Sequence, residues 1–172
     1  MRLETDRLLI TLLKPENWPL FLRVHQDEQC MAWVSAIPDD EELQKRFSEC
    51  LLPWFFTSDH MLCLVVRQKK TGEAIGLLGA TAEGYPYCQV EIGYAFLSQF
   101  HGQGFGSEAL APLCEYLLHH CGFHKLTAHV VEGNWSSRRI LEKNSFLLEG
   151  VLRDNRLLRG RWKNDWVFVR LR

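Results

Sequence analysis

Several features that would narrow the function are missing from this chain of 172 residues. No apolar run approaches the roughly 20 residues that a membrane-spanning helix requires. The six cysteines include no Cys-x-x-Cys pair, so neither a disulfide framework nor a zinc site is predicted. The net charge of −1 provides no general attraction to nucleic acid. The sequence thus gives no support to a membrane protein, a metal-dependent site or a nucleic-acid binder.

The composition is that of an ordinary globular protein, with 47% apolar and 24% charged residues. Repeats, linkers and low-complexity segments are absent, so residues 1–172 are predicted to form a single domain. The charged start at residues 1–7 is not typical of a signal peptide, and a cytoplasmic location is expected. The charge is unevenly distributed along the chain. The charged residues at 26–60 are mostly acidic, and those at 153–172 are mostly basic. The acidic segment is either solvated surface or a means of attracting a cationic substrate.

Apolar spacing and turn residues predict about seven strands and about four helices. Strand-like runs cover residues 7–13, 61–67, 74–81, 87–97, 126–131, 147–153 and 162–171, with a turn at 84–86 before the fourth. Helical spacing is found at 16–24, from Asp39 or Asp40 onward, at 104–120 and after Asn134. An antiparallel meander therefore precedes a β-α-β-α-β-β tail. The predicted fold class is α/β (α+β), a mixed, largely antiparallel sheet with helices on its faces.

A glycine-rich turn stands between the fourth predicted strand and the third helix. It reads His101-Gly102-Gln103-Gly104-Phe105-Gly106 and is followed by Ser107. Such a turn exposes backbone N–H groups at the positive end of a helix dipole, which is a binding site for phosphate. The alternative is a tight strand-to-helix connection without a ligand. The Walker loop is ruled out because no lysine separates Gly106 from Ser107, and the glycine spacing does not fit the dinucleotide fingerprint, so another diphosphate is indicated.

Four stretches, in this order and spanning nearly the whole chain, resemble one enzyme family. They are Glu4-Thr5-Asp6-Arg7-Leu8, Glu91-Ile92-Gly93-Tyr94 with residues 101–109, Asn134-Trp135-Ser136-Ser137 with Leu141-Glu142-Lys143, and Glu149-Gly150 with Arg153 and Gly160-Arg161-Trp162-Lys163-Asn164-Asp165. The family is the GNAT superfamily of acetyl-CoA-dependent N-acetyltransferases, and within it the RimJ/RimL type that acetylates ribosomal-protein N-termini. The resemblance implies the GNAT fold, with a sheet splayed between its fourth and fifth strands after a bulge.

The resemblance also implies where acetyl-CoA would bind. The family pattern Gln/Arg-x-x-Gly-x-Gly/Ala places His101, Gly104 and Gly106 at its first, fourth and sixth positions. Backbone N–H groups of the turn would hold the pyrophosphate, and the side chain of His101 is either a phosphate contact or surface. The full set of implied cofactor-binding residues is Tyr94, Phe96, Leu97, His101, Gly102, Gln103, Gly104, Phe105, Gly106, Ser107, Asn134 and Lys143.

The implied chemistry is direct transfer of an acetyl group to an amine, which needs a neutral amine, a stabilised oxyanion and a satisfied thiolate. Glu91 is the candidate base, with a structural carboxylate as the alternative. Ser137 is the candidate acid, because Leu141 occupies the position where many superfamily members have a tyrosine. A backbone N–H near Phe96 or Leu97 would face the thioester carbonyl.

The predicted acceptor is a primary amine, with a protein N-terminus as the first hypothesis and a polyamine, amino sugar or amino-acid derivative as alternatives. The acceptor wall is expected to involve the first two helices and residues 153–164. Its candidate residues are Trp18, Trp33, Trp54, Phe55, Phe56 and Arg153, and the aromatic ones either form a partly apolar slot or pack in the core. A homodimer is compatible with the resemblance. The rival hypotheses are a non-catalytic acyl-CoA-binding module and an interaction domain with a degenerate loop.

Overall fold

The strands form one sheet in the computed structural model, which describes residues 1–34, 38–83 and 86–172. The strands are β1 (Arg2–Glu4), β2 (Leu8–Leu12), β3 (Leu62–Gln68), β4 (Ala74–Glu83), β5 (Gln89–Phe96), β6 (Lys125–Val131), β7 (Leu147–Leu158) and β8 (Arg161–Leu171). Their order is β1-β2-β3-β4-β5-β6-β8-β7. Only the β5–β6 pair among them is parallel. The predicted mixed, largely antiparallel sheet is confirmed.

Five α-helices accompany the sheet in the described residues: α1 (Trp18–Gln26), α2 (Glu28–Met31), α3 (Asp40–Cys50), α4 (Phe105–Glu115) and α5 (Trp135–Lys143). The sequence pattern missed α2 and β1, which are only four and three residues long. Elements this short are set by tertiary contacts more than by periodicity. The predicted turn at 84–86 lies outside the described residues except for Pro86. Among the described helices, none has both the length and the apolar character that a bilayer crossing requires.

Side-chain oxygens set the start of three helices. Asp39 accepts a hydrogen bond from the N–H of Glu42 at 2.9 Å and begins α3, as predicted. Asn134 does the same for α5 through the N–H of Ser137 at 3.2 Å. Asp27 caps α2 with one oxygen and accepts a bond from the N–H of Ser98 at 2.9 Å with the other. This second bond fixes α2 beside the end of β5.

The sheet has a different helical layer on each face. Even-numbered positions of β5 and β6, such as Val90, Ile92 and Ala128, pack in the larger core cluster with α4 and Leu141 of α5. The smaller cluster, around Phe21 of α1 and Phe47 of α3, covers the other face at β3–β5. Because strand side chains alternate, odd-numbered residues of β5 and β6 point to the α1–α3 face.

The sheet divides between β5 and β6. The two strands pair only from Gln89–Glu91 to Lys125–Thr127, and β5 then continues to Phe96 along β4 alone. Strand β6 follows β8 through Val131 instead. The splay predicted between the fourth and fifth predicted strands, which are β5 and β6, is confirmed. The bulge expected there is not found in the pairing of β5 with β4, whose register is continuous. The two strands separate because β5 stays bonded to β4 and β6 stays bonded to β8.

Candidate active site

A cleft of about 630 Å³ occupies the gap between β5 and β6. Residues from both faces of the sheet line it, so the gap is a passage from the α4–α5 side to the α1–α3 side. The cleft brings together most of the predicted site residues, namely Glu91, Tyr94, Phe96, His101, Gly102, Gly104, Phe105, Gly106, Ser107, Asn134, Ser137 and Lys143. The remaining two, Leu97 and Gln103, are not in its lining.

The start of α4 fits a diphosphate. Gly104 is the residue before the helix and has φ = +82°, a left-handed conformation that favours glycine. No side chain caps this helix start, in contrast to α3 and α5. The N–H groups of the first turn thus have no intrahelical acceptor and no capping oxygen, which leaves them available for an anion.

The glycine turn is held from behind by the N-terminal segment. Glu108 accepts hydrogen bonds from the backbone N–H of Arg7 at 3.0 Å and from the Arg7 guanidinium at 2.6 Å, and also contacts Thr5. The guanidinium also lies 4.5 Å from the centre of the Phe105 ring and donates to the carbonyl of Gln103 at 3.2 Å. Thr5, Arg7 and Glu108, which the sequence had offered only as part of the family resemblance, therefore hold the turn in position.

Backbone contacts at the end of β5 show which of the predicted residues can offer a backbone group to the gap. The N–H of Leu97 donates to the carbonyl of Ile75 at 3.0 Å, and its side chain is buried in the smaller core cluster. Since bonding alternates along an antiparallel strand, the backbone groups of Phe96 face the gap. The Phe96 carbonyl accepts a hydrogen bond from Nε2 of His101 at 2.7 Å. The N–H of Phe96 faces the same gap, whose lining includes Cys30.

These contacts correct one of the predictions. Leu97 has no N–H to offer a thioester, because that N–H belongs to the β4–β5 ladder. The side chain of Gln103 donates to the carbonyl of Gln99 at 3.1 Å, and the predicted role of its backbone N–H stays a prediction. His101 closes the turn onto β5 through its ring, a role that neither alternative for its side chain had included.

Tyr94 and Ser137 meet on the α4–α5 side. Their hydroxyl oxygens are 2.6 Å apart, and the Tyr94 hydroxyl also lies 3.1 Å from the Ser137 carbonyl. Burial raises the pKa of the Tyr94 phenol above its usual value, so it stays protonated and remains a donor. The sequence predicted Tyr94 only through its main chain, so this side-chain contact is an addition. Ser137 itself is placed by the Asn134 cap.

Glu91 and His129 meet on the opposite side. Nδ1 of His129 is 2.9 Å from Oε1 of Glu91, across the point where β5 and β6 stop pairing. Both side chains are partly exposed, with 42% of Glu91 and 24% of His129 accessible. Sequence reasoning missed His129. Its odd-numbered position in a strand parallel to that of Glu91 is a signal that could have found it.

The wall of the α1–α3 side differs from the aromatic set considered in the sequence. Trp33 lines the cleft, but Trp18 packs with Phe21 and Phe47, and Trp54 and Phe56 pack on Phe123. Phe55 is exposed outside the cleft. The arginine in the wall is Arg156, since Arg153 points into solvent beside an irregularity of β7 between Leu152 and Arg156.

Comparison with known proteins identifies this arrangement. Residues 7–147 match the family described as the acetyltransferase (GNAT) domain. The chain belongs to the GNAT acetyltransferase family. It is an N-acetyltransferase that uses acetyl-CoA, and the predicted family, fold, enzyme class and co-substrate are confirmed.

Individual relatives support the family but differ in what they act on. The GNAT chain is 33% identical to the uncharacterized N-acetyltransferase YoaA of Bacillus subtilis over 154 residues, 88% of this chain and 85% of that one. The fold is similar to that of RimL, a ribosomal L7/L12 α-N-protein acetyltransferase solved with coenzyme A (TM-score 0.87, 17% identity, 99% and 98% coverage). It is also similar to spermidine N-acetyltransferase of Vibrio cholerae (TM-score 0.84, 17% identity, 97% and 96% coverage).

Proposed function

We propose that this GNAT enzyme acetylates a primary amine by direct attack within a ternary complex, with the whole chain acting as one catalytic unit. The observation that carries the proposal is the passage between β5 and β6 with a different polar pair at each side. Tyr94 and Ser137 lie on the α4–α5 side, and Glu91 and His129 on the α1–α3 side. Two substrates that enter from opposite faces of the sheet can therefore be bound in the gap at the same time.

The α4–α5 side is proposed to bind acetyl-CoA. The first-turn N–H groups of α4, from Phe105 to Ser107, would hold the pyrophosphate. Lys143 and Arg139 line the same side and supply positive charge for the remaining phosphate. Asn134 is already bonded to the N–H of Ser137 through its side-chain oxygen, so its amide nitrogen is the group left for the pantetheine arm.

The α1–α3 side is proposed to remove the proton from the amine. Acetyl-CoA supplies an acetyl group on a thioester, whose carbonyl carbon a neutral amine can attack. Glu91 accepts the amine proton, directly or through one water, and His129 orients its carboxylate. An α-amino group with a pKa of about 8 needs less assistance than a lysine near 10.4.

The Tyr94–Ser137 pair is proposed to supply the proton that the departing thiolate takes up. Ser137 donates from Oγ and regains its proton from solvent. The Tyr94 hydroxyl, which burial keeps protonated, donates a hydrogen bond to Ser137 and positions it. A thiol with a pKa of about 8.5 already leaves readily near neutrality, so this assistance is the smaller of the two contributions. The N–H of Phe96, which faces the gap, is the proposed donor to the thioester oxygen.

A covalent route through the enzyme is not required. Cys30 lines the cleft, but burial raises the pKa of its thiol to about 11. At neutral pH the thiolate, which is the nucleophilic form, is therefore rare. Direct attack by the amine is the simpler proposal, and no acetyl-cysteine is expected to accumulate.

The acceptor we propose is a protein or peptide N-terminal α-amine, supported by the likeness to RimL. A small-molecule amine is the alternative, supported by the likeness to spermidine N-acetyltransferase. A homodimer is a further prediction, which light scattering after size-exclusion chromatography would test.

Two assays test the proposal together. Acetyl-CoA and CoA should raise the melting temperature while ATP should not, because a ligand that binds only the folded state stabilises it. Thiol release should then depend on added peptide N-termini or small amines. Stabilisation by CoA without amine-dependent thiol release would instead favour the non-catalytic module, and no stabilisation at millimolar CoA would contradict the assigned cofactor side.

A further inference from the structure

The α1–α3 side of the cleft carries little negative charge. Glu91 is the only acidic residue in the cleft lining among the residues that the structure describes. The acidic start of α3, part of the acidic segment that the sequence suggested as an attractor for a cation, does not line the cleft. Asp39 caps the helix, Glu42 pairs with Arg46, and Asp40 and Glu41 are exposed. A substrate amine therefore meets one carboxylate, already shared with His129.

The same side offers no free cation to a substrate carboxylate in the described part of the chain. The guanidinium of Arg156 bonds Asp165 at 3.1 Å and the carbonyl of Val34 at 3.1 Å. Asp165 is fully buried, so this arginine is held where it is. Burial lowers the pKa of His25, which contacts the Phe21 carbonyl at 2.8 Å and stays neutral near pH 7. An acceptor carboxylate would thus lie near Glu91 without compensation.

The rest of this wall is uncharged and mostly apolar. Met31, Trp33, Val34 and Met61 line the cleft beyond Glu91, and Gln29 is a polar but uncharged member of the lining. The indole of Trp33 lies beside Gly133, where an added Cβ would be 3.6 Å from the ring, so it spans from the end of α2 to the end of β6. A second charge on the acceptor would lose water here and find no opposite charge, which is unfavourable.

We propose that the acceptor is a monoamine, with one ammonium group attached to an uncharged, apolar body. This inference rests on the proposed function and specifies its acceptor class. The same chemistry is presented by a small alkylamine or arylalkylamine and by a peptide N-terminus with apolar first residues. Diamines, polyamines and free amino acids carry the second charge that this wall does not accommodate.

Matched acceptors test the charge requirement directly. Hexylamine and 1,6-diaminohexane differ by one ammonium, and phenylalaninamide and phenylalanine differ by one carboxylate. Hexylamine and phenylalaninamide, which carry only the one ammonium group, should each have at least a tenfold higher kcat/KM than their partner, measured by thiol release at saturating acetyl-CoA. Equal values, or a preference for the diamine or the free amino acid, would overturn the inference. Comparing kcat/KM for a peptide beginning Phe-Ala with that for hexylamine shows whether a peptide N-terminus or a small amine is the preferred acceptor.

A charge-adding variant tests the same inference from the enzyme's side. Trp33→Glu places a second carboxylate in the wall and should reduce the preference for hexylamine over 1,6-diaminohexane by at least threefold. Leu52→Glu adds the same charge at an exposed position outside the cleft and should leave the preference unchanged. An unchanged preference in Trp33→Glu would count against the inference. Loss of thiol release with every amine in the wild type, with CoA still bound, would overturn the proposed function and this inference with it.

Discussion

The two sides of the cleft are built in different ways. On the α4–α5 side, the glycine turn, α4 and α5 are bonded to one another and to the N-terminal segment, through Arg7, Glu108 and Asn144. On the α1–α3 side, the wall is assembled from α1, α2, β6 and β7, which are far apart in sequence. Two of its connections are the bond of Asp27 to Ser98 and the bond of Arg156 to the Val34 carbonyl.

This difference matches the two tasks that we assign. A co-substrate shared by a whole family can be held by backbone groups of a local motif. An acceptor that differs between relatives must be selected by side chains from several elements. The predictions below separate the two sides, from the largest expected effect to the smallest.

The largest expected effect is on stability, at the buried end of the α1–α3 side. Arg156→Ala leaves the fully buried Asp165 without its cation. In the wild type 32% of the Arg156 side chain is accessible to solvent, so the pair is only partly buried. We therefore expect the free energy of unfolding to fall by about 2–3 kcal/mol, below the usual range for a buried pair. Urea unfolding measures it. Asp165→Asn is the matched control and should cost less, because the remaining guanidinium can reach water; a larger loss for Asp165→Asn would contradict this assignment.

Glu91→Gln should have the largest effect on turnover. Removing a general base typically costs 10²-fold or more, and we expect kcat to fall roughly 100-fold. The dissociation constant of CoA should stay within about twofold, since Glu91 lies on the other side from the proposed pyrophosphate site. Thiol release and calorimetry give the two quantities. Glu142→Gln, on the outer surface of α5, is the control. Full activity in Glu91→Gln would show that its carboxylate is structural.

Ser137→Ala should have a smaller effect, a fall in kcat of roughly tenfold, because the thiol is a fair leaving group without assistance. Tyr94→Phe should act in the same direction, as it removes the other hydroxyl of the pair. The loss should shrink as the pH rises toward the thiol pKa of about 8.5. Ser136→Ala tests whether any serine at this helix start matters equally. A loss independent of pH would argue against a role as acid.

The smallest effect concerns pH and the support of the glycine turn. Burial would raise the pKa of Glu108, but hydrogen bonds from Thr5 and Arg7 hold it below its usual value. A depressed folded-state pKa stabilises the protein above the unfolded value near 4.3, and that stability is lost as the pH falls through the folded pKa. Melting temperature should therefore drop in acid less steeply for Arg7→Ala than for the wild type. Parallel acid profiles would contradict this, with Arg153→Ala, which changes an arginine that points into solvent, as the control.

Much of the α4–α5 side could be predicted from sequence because it is local. The strand, the glycine turn and the helix start are consecutive, and the Asn134 cap lies three residues from Ser137. Two contacts there were missed, although their residues had been noted. The bond of Arg7 to Glu108 joins distant segments, and the bond of His101 to Phe96 is local but depends on the conformation of the turn.

The α1–α3 side was predicted poorly for the same reason. His129 joins Glu91 only because β5 and β6 are parallel neighbours, and Arg156, not Arg153, enters the wall because β7 is irregular between Leu152 and Arg156. Helix α2 is too short for a periodic pattern, so its contribution to the wall was not expected. Aromatic residues gave no guidance, since core packing and cleft lining use the same side chains.

The central claim, that each side of the cleft serves one substrate, is tested most directly by two glycine variants in a two-substrate kinetic matrix. Gly104→Ala strains the left-handed residue before α4, whereas Gly93→Leu projects into open space from an odd position of β5. We predict that Gly104→Ala raises KM for acetyl-CoA with little change for the amine, and that Gly93→Leu does the reverse. If both variants raised the same constant, the assignment of one side to each substrate would be wrong.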